Sequence, residues 1–481
     1  MWIPLLLGIL WVIMMMMMII KSLFVTGPVW VPFIGSTVTL QKLVKKYGSE
    51  FGAYIELSKQ YSTNILGLKT SSELTVIVFG EKNVRQVFNS QEFDARPHNY
   101  FAQLRCLGKK NMGITFANGD IWKEHRRFAA KTLKHNGYGK TLMENEIQNE
   151  LNHILYKHSY LHIMPIYDKL AVTTLFSLGE RIPEEKLNHL LKLFRLRTEA
   201  FSMAGGFLNQ IPWSRYIMPE LSGYSLITKL NQDISELIEA TLSKHKNNEI
   251  TKNDFINLFL EEIYANTPTY TEEQLKIVCL DFMIAASQTT GNLLSFAILK
   301  LLRNQEIQET ILKEIDSELG DDIPCWEDSK RLVYTTAFIQ EVHRYYPIVP
   351  FAGPRSAQKD TIVDGCLIPK GTTVLISLGD IYFDPELWED PNAFKPERFI
   401  DESGKLKNSE HMYPFGLGRR RCPGESLAKS FIFIILVGIL QKYRIQCSNG
   451  TMPCGKPVIG IFSAPQPYTA TFYTKKIKND F

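Results

Sequence analysis

Residues 415–424 read Phe-Gly-Leu-Gly-Arg-Arg-Arg-Cys-Pro-Gly and place one cysteine, Cys422, in a glycine-rich loop ahead of an apolar segment. That segment, residues 425–443, predicts a buried helix, with Pro423 in its first turn, where a missing N–H costs nothing. The free N–H groups and the dipole at a helix N-terminus favour an anion, and the neighbouring arginines add positive charge. The sequence therefore predicts a thiolate at Cys422, beside glycines that let the backbone approach a large flat group.

A lone cysteine is more often a buried structural residue, so the surrounding pattern decides its interpretation. Here Phe415, Gly418, Arg420, Cys422 and Gly424 stand in the pattern Phe-x-x-Gly-x-Arg-x-Cys-x-Gly. This loop resembles the haem-binding loop of the cytochrome P-450 superfamily, the haem-thiolate monooxygenases. The resemblance implies that Cys422 is the axial ligand of the iron of haem b. It also implies that Phe415, Gly416 and Gly424 belong to the cofactor-binding loop.

The chain has 481 residues, which by length alone indicates about three domains. No Gly/Ser-rich or Pro-rich linker divides it after residue 35, so we predict one large domain over residues 36–481. A net charge of +4 without a basic tail does not indicate a nucleic-acid partner. The seven cysteines form neither a disulfide framework nor a zinc pattern. The resemblance implies a mainly α fold with a smaller β region for this haem-binding catalytic domain.

An apolar leader precedes the domain. Residues 2–20 are apolar and end at Lys21, which is long enough to span a bilayer. We predict a single N-terminal transmembrane anchor over residues 1–21 and a proline-rich hinge over 22–35, with a cleaved secretory signal as the alternative. Lysines on the C-terminal side predict that the catalytic domain faces the cytosol. Together with the resemblance, this implies a microsomal protein of the endoplasmic reticulum membrane, of an animal type, with an insect type as the narrower expectation.

A long helix is predicted in the second half of the chain. Thr271 and Gln274 form a capping box, and a helical pattern without proline follows as far as Leu302. At about 1.5 Å per residue this helix would cross the whole domain.

Within this helix, residues 285–290 read Ala-Ala-Ser-Gln-Thr-Thr and resemble the oxygen-binding segment of the family. By that resemblance Thr289 is the threonine that assists dioxygen activation, with Gln288 beside it as the second catalytic residue. Two residues depart from the family pattern, because Ala286 replaces a glycine and Gln288 replaces a carboxylic acid. An amide cannot ionise, so either water and Thr289 complete the proton relay or the reaction differs from hydroxylation.

Two further motifs resemble a structural network of the family. Glu341 and Arg344 stand at i and i+3, a spacing that means little alone because it is so common. Residues 396–399 read Pro-Glu-Arg-Phe and precede the cysteine loop. The resemblance implies that Arg398 joins Glu341 and Arg344 in a buried network that supports the loop.

Four side chains match positions that bind the haem propionates in the family. Trp122 and Arg126 stand at i and i+4 and therefore share one helix face. Arg355 follows the Glu-x-x-Arg helix, and Arg420 lies two residues before the cysteine. An arginine offers a carboxylate two parallel hydrogen bonds, so the set is predicted to hold the propionates.

Electron delivery is predicted to come from outside the chain, because it contains no flavin or NADPH motif. The resemblance implies docking of NADPH–cytochrome reductase, with cytochrome b5 as a further partner. Basic residues are expected on the side of the thiolate, where a solvated basic face is the alternative: Arg126, Arg127, Lys131, Lys134, Arg419 and Lys429.

The sequence gives least information about the residues that contact the substrate. The apolar residues 201–216 are predicted to line an access channel at the membrane surface or to belong to the core. By position, the residues expected near the substrate, besides Thr289, are Ala285, Pro350, Phe351 and Phe462. They predict a small apolar ligand and include no charged partner for an acidic or basic one.

The resemblance implies a monooxygenase that uses dioxygen and NADPH-derived electrons to hydroxylate or epoxidise a small apolar substrate such as a hormone, lipid or xenobiotic. A haem-thiolate isomerase or dehydratase, which needs no reductase, and a haem-binding protein without catalysis are the alternatives.

Overall fold

The computed structural model describes residues 8, 25–30, 35–70, 73–135, 144–145, 147–149, 151–152, 160–162, 184–201, 208–209, 211–247, 249 and 254–475. The predicted anchor over 1–21 lies outside this part except for Gly8, and the hinge is described only at residues 25–30 and 35. The limits predicted for these segments therefore stay predictions. Within the described residues helices predominate over short strands, which confirms a mainly α fold with a smaller β region.

The elements of the described residues are as follows. The helices are α1 Thr37–Tyr47, α2 Glu50–Gln60, α3 Glu81–Asn89, α4 Tyr100–Arg105, α5 Gly119–His135, α6 Glu184–Ala200, α7 Ser214–Ile217, α8 Tyr224–Lys246, α9 Phe255–Tyr264, α10 Glu272–Arg303, α11 Gln305–Glu318, α12 Val333–Tyr345, α13 Gly379–Tyr382 and α14 Glu425–Lys442. The strands are β1 Ile65–Thr70, β2 Glu73–Val78, β3 Tyr160–His162, β4 Phe351–Ser356, β5 Thr361–Val363, β6 Cys366–Ile368, β7 Thr373–Ser377, β8 Tyr443–Cys447, β9 Pro457–Ile459, β10 Ser463–Pro465 and β11 Thr469–Thr474.

Helix α10 is the axis of the fold, and it has the start and length predicted from the sequence. It begins after Thr271, whose Oγ1 accepts a hydrogen bond from the Gln274 backbone N–H at 3.1 Å, and it continues for 32 residues. The second half of the predicted capping box is wrong. The Gln274 side chain exchanges two hydrogen bonds with the backbone of Gly113 instead, because a loop packs against this end of the helix.

Helix α10 is buried on almost all sides. Among the described residues it alone is long and apolar enough to cross a membrane, yet most of its length is enclosed by the protein. Its C-terminal half packs with α11, α12 and α14 in the largest apolar cluster, which includes Phe296, Phe338 and Phe433. Its N-terminal half packs against α6, α8 and α9 in a second cluster that includes Phe194 and Phe259. The helix therefore joins two cores and is held fixed from both.

Helix α14 follows the cysteine loop and differs from the prediction at its start. It begins at Glu425 with Gly424 as its N-cap, so Pro423 lies in the loop and not in the first turn. At its other end Tyr443 already belongs to β8. Between these limits the helix is buried almost completely from Ser430 to Leu440, as its apolar sequence predicts.

The largest sheet has the strand order β1-β2-β7-β4. Strands β2 and β7 are parallel, and the other two pairs are antiparallel. The register of β4 against β7 shifts between Ala352 and Arg355, which is a bulge. A bulge bends its strand and redirects the side chains that follow it. Here it directs Arg355 toward the cavity described below.

Glu341 is the centre of a buried ionic network. Arg344 donates to both of its carboxylate oxygens at 2.7 and 2.8 Å, and Arg398 Nε contributes a third bond at 3.2 Å. Glu341 also accepts the backbone N–H of Lys395 at 2.9 Å. Arg344 then reaches the carbonyl oxygens of Tyr382, Pro391 and Ala393, so one guanidinium connects α12 to the irregular segment before the cysteine loop.

We expect Glu341→Ala to lower the free energy of unfolding by roughly 3–5 kcal/mol, because it leaves the fully buried Arg344 without its carboxylate. Urea unfolding followed by circular dichroism measures the change. Glu327→Ala is the matched control, since Glu327 pairs with Lys330 at the same i, i+3 spacing on the surface, where such a pair contributes about 1 kcal/mol or less. Equal losses in the two variants would contradict a central role for the buried network.

Candidate functional site: the cavity between the cysteine loop and the central helix

The cysteine loop is closed by its own backbone. The Cys422 N–H donates to the carbonyl oxygen of Phe415 at 2.8 Å, so the two ends of the loop meet. The ring of Phe415 packs edge-on against His343 of α12, with 5.5 Å between the ring centroids. The loop is thereby held against the helix that carries the Glu341 network.

Two glycines of the loop are required by backbone geometry. Gly416 and Gly418 have φ angles of 71° and 70°, in the left-handed region that other residues avoid. At Gly418 a Cβ would also overlap the carbonyl oxygen of Phe88. The loop can therefore lie directly on the end of α3 only with glycine at position 418.

The thiol of Cys422 faces the cavity from the loop. Burial raises its pKa above the ordinary value, although the N–H of Gly424 and the charge of Arg126 lower it. The thiolate expected from the free N–H groups, the helix dipole and the neighbouring arginines stays a prediction. A metal cation bound at the sulfur would favour the thiolate.

The cavity above the sulfur has a volume of about 340 Å³ and is mainly apolar. One wall is the face of α10 formed by residues four apart, Asp281, Ala285 and Thr289, together with their neighbours. The opposite wall is the cysteine loop with Leu427 and Phe431 of α14. The structure thus places Thr289 and Cys422 in the lining of one cavity, although 133 positions separate them in the chain.

The two residues predicted to be catalytic, Thr289 and Gln288, lie in different environments. Thr289 lines the cavity, and its hydroxyl donates to the carbonyl oxygen of Ala285 at 2.9 Å. This bond leaves the lone pairs of the hydroxyl available on the cavity side. Gln288 is buried and does not line the cavity that the described residues enclose. Its catalytic role stays a prediction.

Arginine side chains surround one side of the cavity. Arg96, Arg126, Arg355 and Arg420 all line it. Burial, followed by repulsion from the other three, lowers the pKa of Arg96 well below its usual value. Burial also lowers the pKa of Arg355 to about 10 and that of Arg420 to about 9. Four guanidinium groups so close together favour an anion among them.

Two acidic side chains offset part of this charge, Asp281 beside Arg96 and Asp94 beside Arg355 and Arg420. Asp94 binds Arg419 through its carboxylate and lies 3.8 Å from Arg355. Arg420 donates to the carbonyl oxygens of Asp94 and Ala117 at 2.8 and 2.7 Å. Those carbonyls satisfy hydrogen bonds without supplying negative charge. The four arginines of the cavity therefore retain an excess of positive charge.

Two buried hydrogen-bond donors on this side of the cavity have no partner and indicate whether it suits the carboxylates of haem. Trp122 Nε1 is buried without a hydrogen-bond partner, and Nε of Arg96 is also unpartnered. Unpartnered buried donors are rare because each one costs about 1–3 kcal/mol. The predicted residues Trp122, Arg126, Arg355 and Arg420 all line this cavity. Their excess charge and free donors fit a group that brings two carboxylates.

The prediction is wrong for three of the residues expected near the substrate, which are absent from the described lining of the cavity: Pro350, Phe351 and Phe462. Phe351 packs on the far side of the sheet against Phe51 and Tyr54, because successive side chains of a strand face opposite ways. Val349 and Ala352 take the cavity positions instead, and Ala285 lies in the lining as predicted.

The predicted basic docking face is partly committed to local pairs. Lys429 binds Glu425 at 2.7 Å, and Arg419 binds Asp94. Arg127 and Lys131 are exposed, whereas the side chain of Lys134 lies outside the described atoms. A role of this surface in docking stays a prediction.

The sequence analysis did not identify three charged or titratable residues of the lining: Arg96, Asp281 and His343. His343 lies inside the Glu-x-x-Arg motif. Its helix face differs from that of Glu341 and Arg344, and this difference could have indicated that it contacts the cavity. Burial lowers its pKa to about 3, so it is neutral. Arg96 fits against Gly353, where a Cβ would lie 2.9 Å from Nη1, and no local sequence pattern marks that contact.

Comparison with known proteins gives one consistent family. The sequence model described as "Cytochrome P450" matches residues 25–472. "Probable cytochrome P450 305a1" of Drosophila melanogaster is 34% identical over 93% of this chain and 94% of its own length. "Farnesoate epoxidase" of Bombyx mori is 30% identical over 94% of each chain. "Cytochrome P450 2J1" of Oryctolagus cuniculus is 33% identical over 87% of this chain and 85% of its own length.

The geometry of the cysteine loop can be tested at Gly418. Gly418→Ala is expected to destabilise the protein more than Gly404→Ala, although both residues have positive φ angles. At Gly404 a Cβ meets nothing within 4 Å, so only the backbone strain of about 1–2 kcal/mol applies. At Gly418 the clash with the Phe88 backbone adds to this strain. Urea unfolding compares the two variants, and equal losses would contradict the close approach.

Proposed function

Because the chain belongs to the cytochrome P450 family and is an oxidoreductase of the monooxygenase type, we propose that it hydroxylates or epoxidises a small apolar substrate. We propose that the electrons come from NADPH through a reductase, since no nicotinamide or flavin motif occurs in the sequence. One observation carries this proposal. A single cavity has Cys422 on one wall, Thr289 on the other, and a group of arginines with excess positive charge at its side.

Haem is the cofactor implied by the family, and the residues of the cavity fit it. Cys422 would bind the iron through Sγ, and Trp122 with the four cavity arginines would hold the propionate carboxylates. When bound, haem supplies the activation of dioxygen. The protein contributes the position of the sulfur, the compensation of charge and the shape of the cavity.

The side chains of α10 would control water and protons. Phe282, Ala285 and Leu293 present an apolar surface to the cavity, which excludes bulk water from the reacting atoms. The Thr289 hydroxyl belongs to this wall, and its bond to the Ala285 carbonyl orients its Oγ1. We propose that Thr289 Oγ1 holds a water or passes a proton there.

We propose that the protein acts at the endoplasmic reticulum membrane. Large apolar side chains between residues 213 and 221 are exposed: Trp213, Tyr216, Ile217 and Leu221. Such a contiguous apolar surface is typical of a membrane contact. It supports the prediction that this region borders an access path for apolar substrates. The name of the Bombyx mori relative, an epoxidase of farnesoate, supports an apolar substrate class for this chain.

The iron ligand is tested by Cys422→Ala. The variant is expected to lose the absorption of the reduced carbon-monoxide complex that marks thiolate-ligated haem, because no other sulfur of the described residues lines the cavity. The absorption spectrum of the purified full-length protein is the measurement. Cys454→Ala, at an exposed free cysteine, is the control and should retain the signal. A retained signal in Cys422→Ala would refute the ligand.

The monooxygenase reaction is tested by reconstitution with NADPH–cytochrome reductase. NADPH consumption and product formation should both require the reductase and dioxygen. Product formed without reductase would instead support an isomerase or dehydratase.

The role of Thr289 is tested in the same system by substitution. Thr289→Ala removes the cavity-facing hydroxyl and should lower the product formed per NADPH consumed about tenfold, the effect of losing one hydrogen bond of about 1.4 kcal/mol in the transition state. Thr289→Ser keeps a hydroxyl and should restore most of the coupling. A variant without hydroxyl that remains fully coupled would show that another group delivers the proton.

A further inference from the structure

Asn292 is a buried amide in the interior of the long helix α10, and none of the motifs described above includes it. It comes three residues after Thr289, and only 5% of its surface is exposed. Asparagine is a poor helix former because its side chain competes for backbone hydrogen bonds. A buried amide is also costly unless it is hydrogen-bonded. An asparagine at this position therefore indicates a specific tertiary contact.

This contact is made with the strand β10. The Nδ2 group of Asn292 donates to the carbonyl oxygen of Ser463 at 3.0 Å. The backbone N–H of Ser463 in turn donates to the carbonyl oxygen of Ile348 at 2.8 Å. All three residues are buried. Through the backbone of Ser463, α10 is thus connected to the segment that follows α12.

The segment that follows α12 belongs to the cavity lining. Residues 347–349 all line the cavity, as do Thr289 and Leu293 of α10. Leu293 is the residue directly after Asn292 in the chain. The two hydrogen bonds therefore connect two parts of one lining, although Asn292 and Ser463 lie outside the lining formed by the described residues.

A second hydrogen bond holds the chain just after β10 against the same helix. The hydroxyl of Tyr468 donates to the carbonyl oxygen of Ser295, which comes three residues after Asn292. Residues at this spacing lie on one side of a helix, and Gln288, four residues before Asn292, lies on that side too. Thr289 belongs instead to the face that lines the cavity. Two adjacent faces of α10 therefore differ in role, since one encloses the cavity and the other carries polar contacts.

We propose that Asn292 is a positioning residue, which fixes residues 347–349 relative to the wall that carries Thr289 and so sets the width available to a substrate there. This proposal deepens the proposed function and rests on it. Asn292 acts through Ser463 and Ile348 and does not touch the substrate. A wall that is already fixed encloses a ligand without being ordered on binding, and such ordering would cost affinity. Selectivity for ligands that reach residues 347–349 therefore depends on the Asn292 amide.

The test uses two nitrogen ligands of haem iron, imidazole and 4-phenylimidazole, which differ only in a phenyl ring. Imidazole needs space at the iron alone, whereas the phenyl ring extends into the cavity and contacts its walls. Binding to the oxidised full-length holoprotein is followed by the shift of the haem absorption band, so no turnover is required.

Asn292→Leu keeps a branched side chain and removes the hydrogen-bond donor. It should raise the Kd of 4-phenylimidazole about fivefold, the effect of one lost hydrogen bond. The Kd of imidazole should stay within about twofold, because this ligand does not extend to residues 347–349.

Gln308→Leu is the matched control. Gln308 is a fully buried amide on α11 that donates to the carbonyl oxygen of Ile445 in β8 at 2.9 Å, and it is outside the described lining of the cavity. The variant therefore removes the same kind of helix-to-strand bond at another place. If the Asn292 amide were merely structural, both variants would lower the melting temperature and neither would change the ratio of the two Kd values. Our proposal predicts that the ratio changes in Asn292→Leu alone.

Tyr468→Phe is the second variant, used if Asn292→Leu does not fold, since it removes only the hydroxyl that binds the Ser295 carbonyl. It should raise the Kd of 4-phenylimidazole about threefold and leave that of imidazole unchanged, because the same strand loses one of its two bonds to α10.

An unchanged ratio of the two Kd values in Asn292→Leu, or in Tyr468→Phe where the first variant does not fold, would overturn the proposal. An equal change of the ratio in Gln308→Leu would overturn it as well. The proposed function fails by different measurements, namely absence of the thiolate-haem spectrum or of reductase-dependent NADPH consumption in the wild type. An unchanged ratio while those two signals persist would refute the role of Asn292 alone.

Discussion

Four guanidinium groups share one cavity, and most of the surrounding structure serves to hold them there. Arg96, Arg126, Arg355 and Arg420 lie together in a buried place, and within the described residues Asp94 and Asp281 offset only part of their charge. Arg96 and Arg420 also donate hydrogen bonds to backbone carbonyls. These bonds orient the two side chains but supply no negative charge. An anionic group that binds among the arginines would stabilise this arrangement, so the charge of the cavity favours a cofactor with carboxylates.

The sulfur is positioned by a separate and much better satisfied set of contacts. Glu341 has both oxygens occupied by Arg344, Arg398 and a backbone N–H, so this network is complete without any ligand. It fixes α12, and α12 in turn supports Phe415 through His343. The network that supports the sulfur thus has its carboxylate fully hydrogen-bonded, whereas the arginine side retains excess charge and unpartnered donors. This division separates the structural support of Cys422 from the binding of the cofactor.

The sequence predicted elements well where a local rule acts. Thr271 marks the start of α10, because an N-cap depends only on the next few residues. The glycines at 416 and 418 indicate a tight loop for the same reason. Local rules failed where a distant segment intervened. The Gln274 side chain bonds the backbone of Gly113 and does not complete the predicted capping box. Phe351 does not line the cavity as predicted, because the alternation of side chains along β4 places it on the opposite face of the sheet.

The sequence by itself determined the family, the cysteine and the long helix with Thr289, because each of these rests on residues at fixed short spacing. Tertiary structure alone decided which charges meet. Arg96, Arg126, Arg355 and Arg420 come from four separate segments of the chain, so their shared charge becomes visible only when those segments pack. Electrostatic energy depends on distance in space and on burial, and neither quantity can be obtained from separation along the chain.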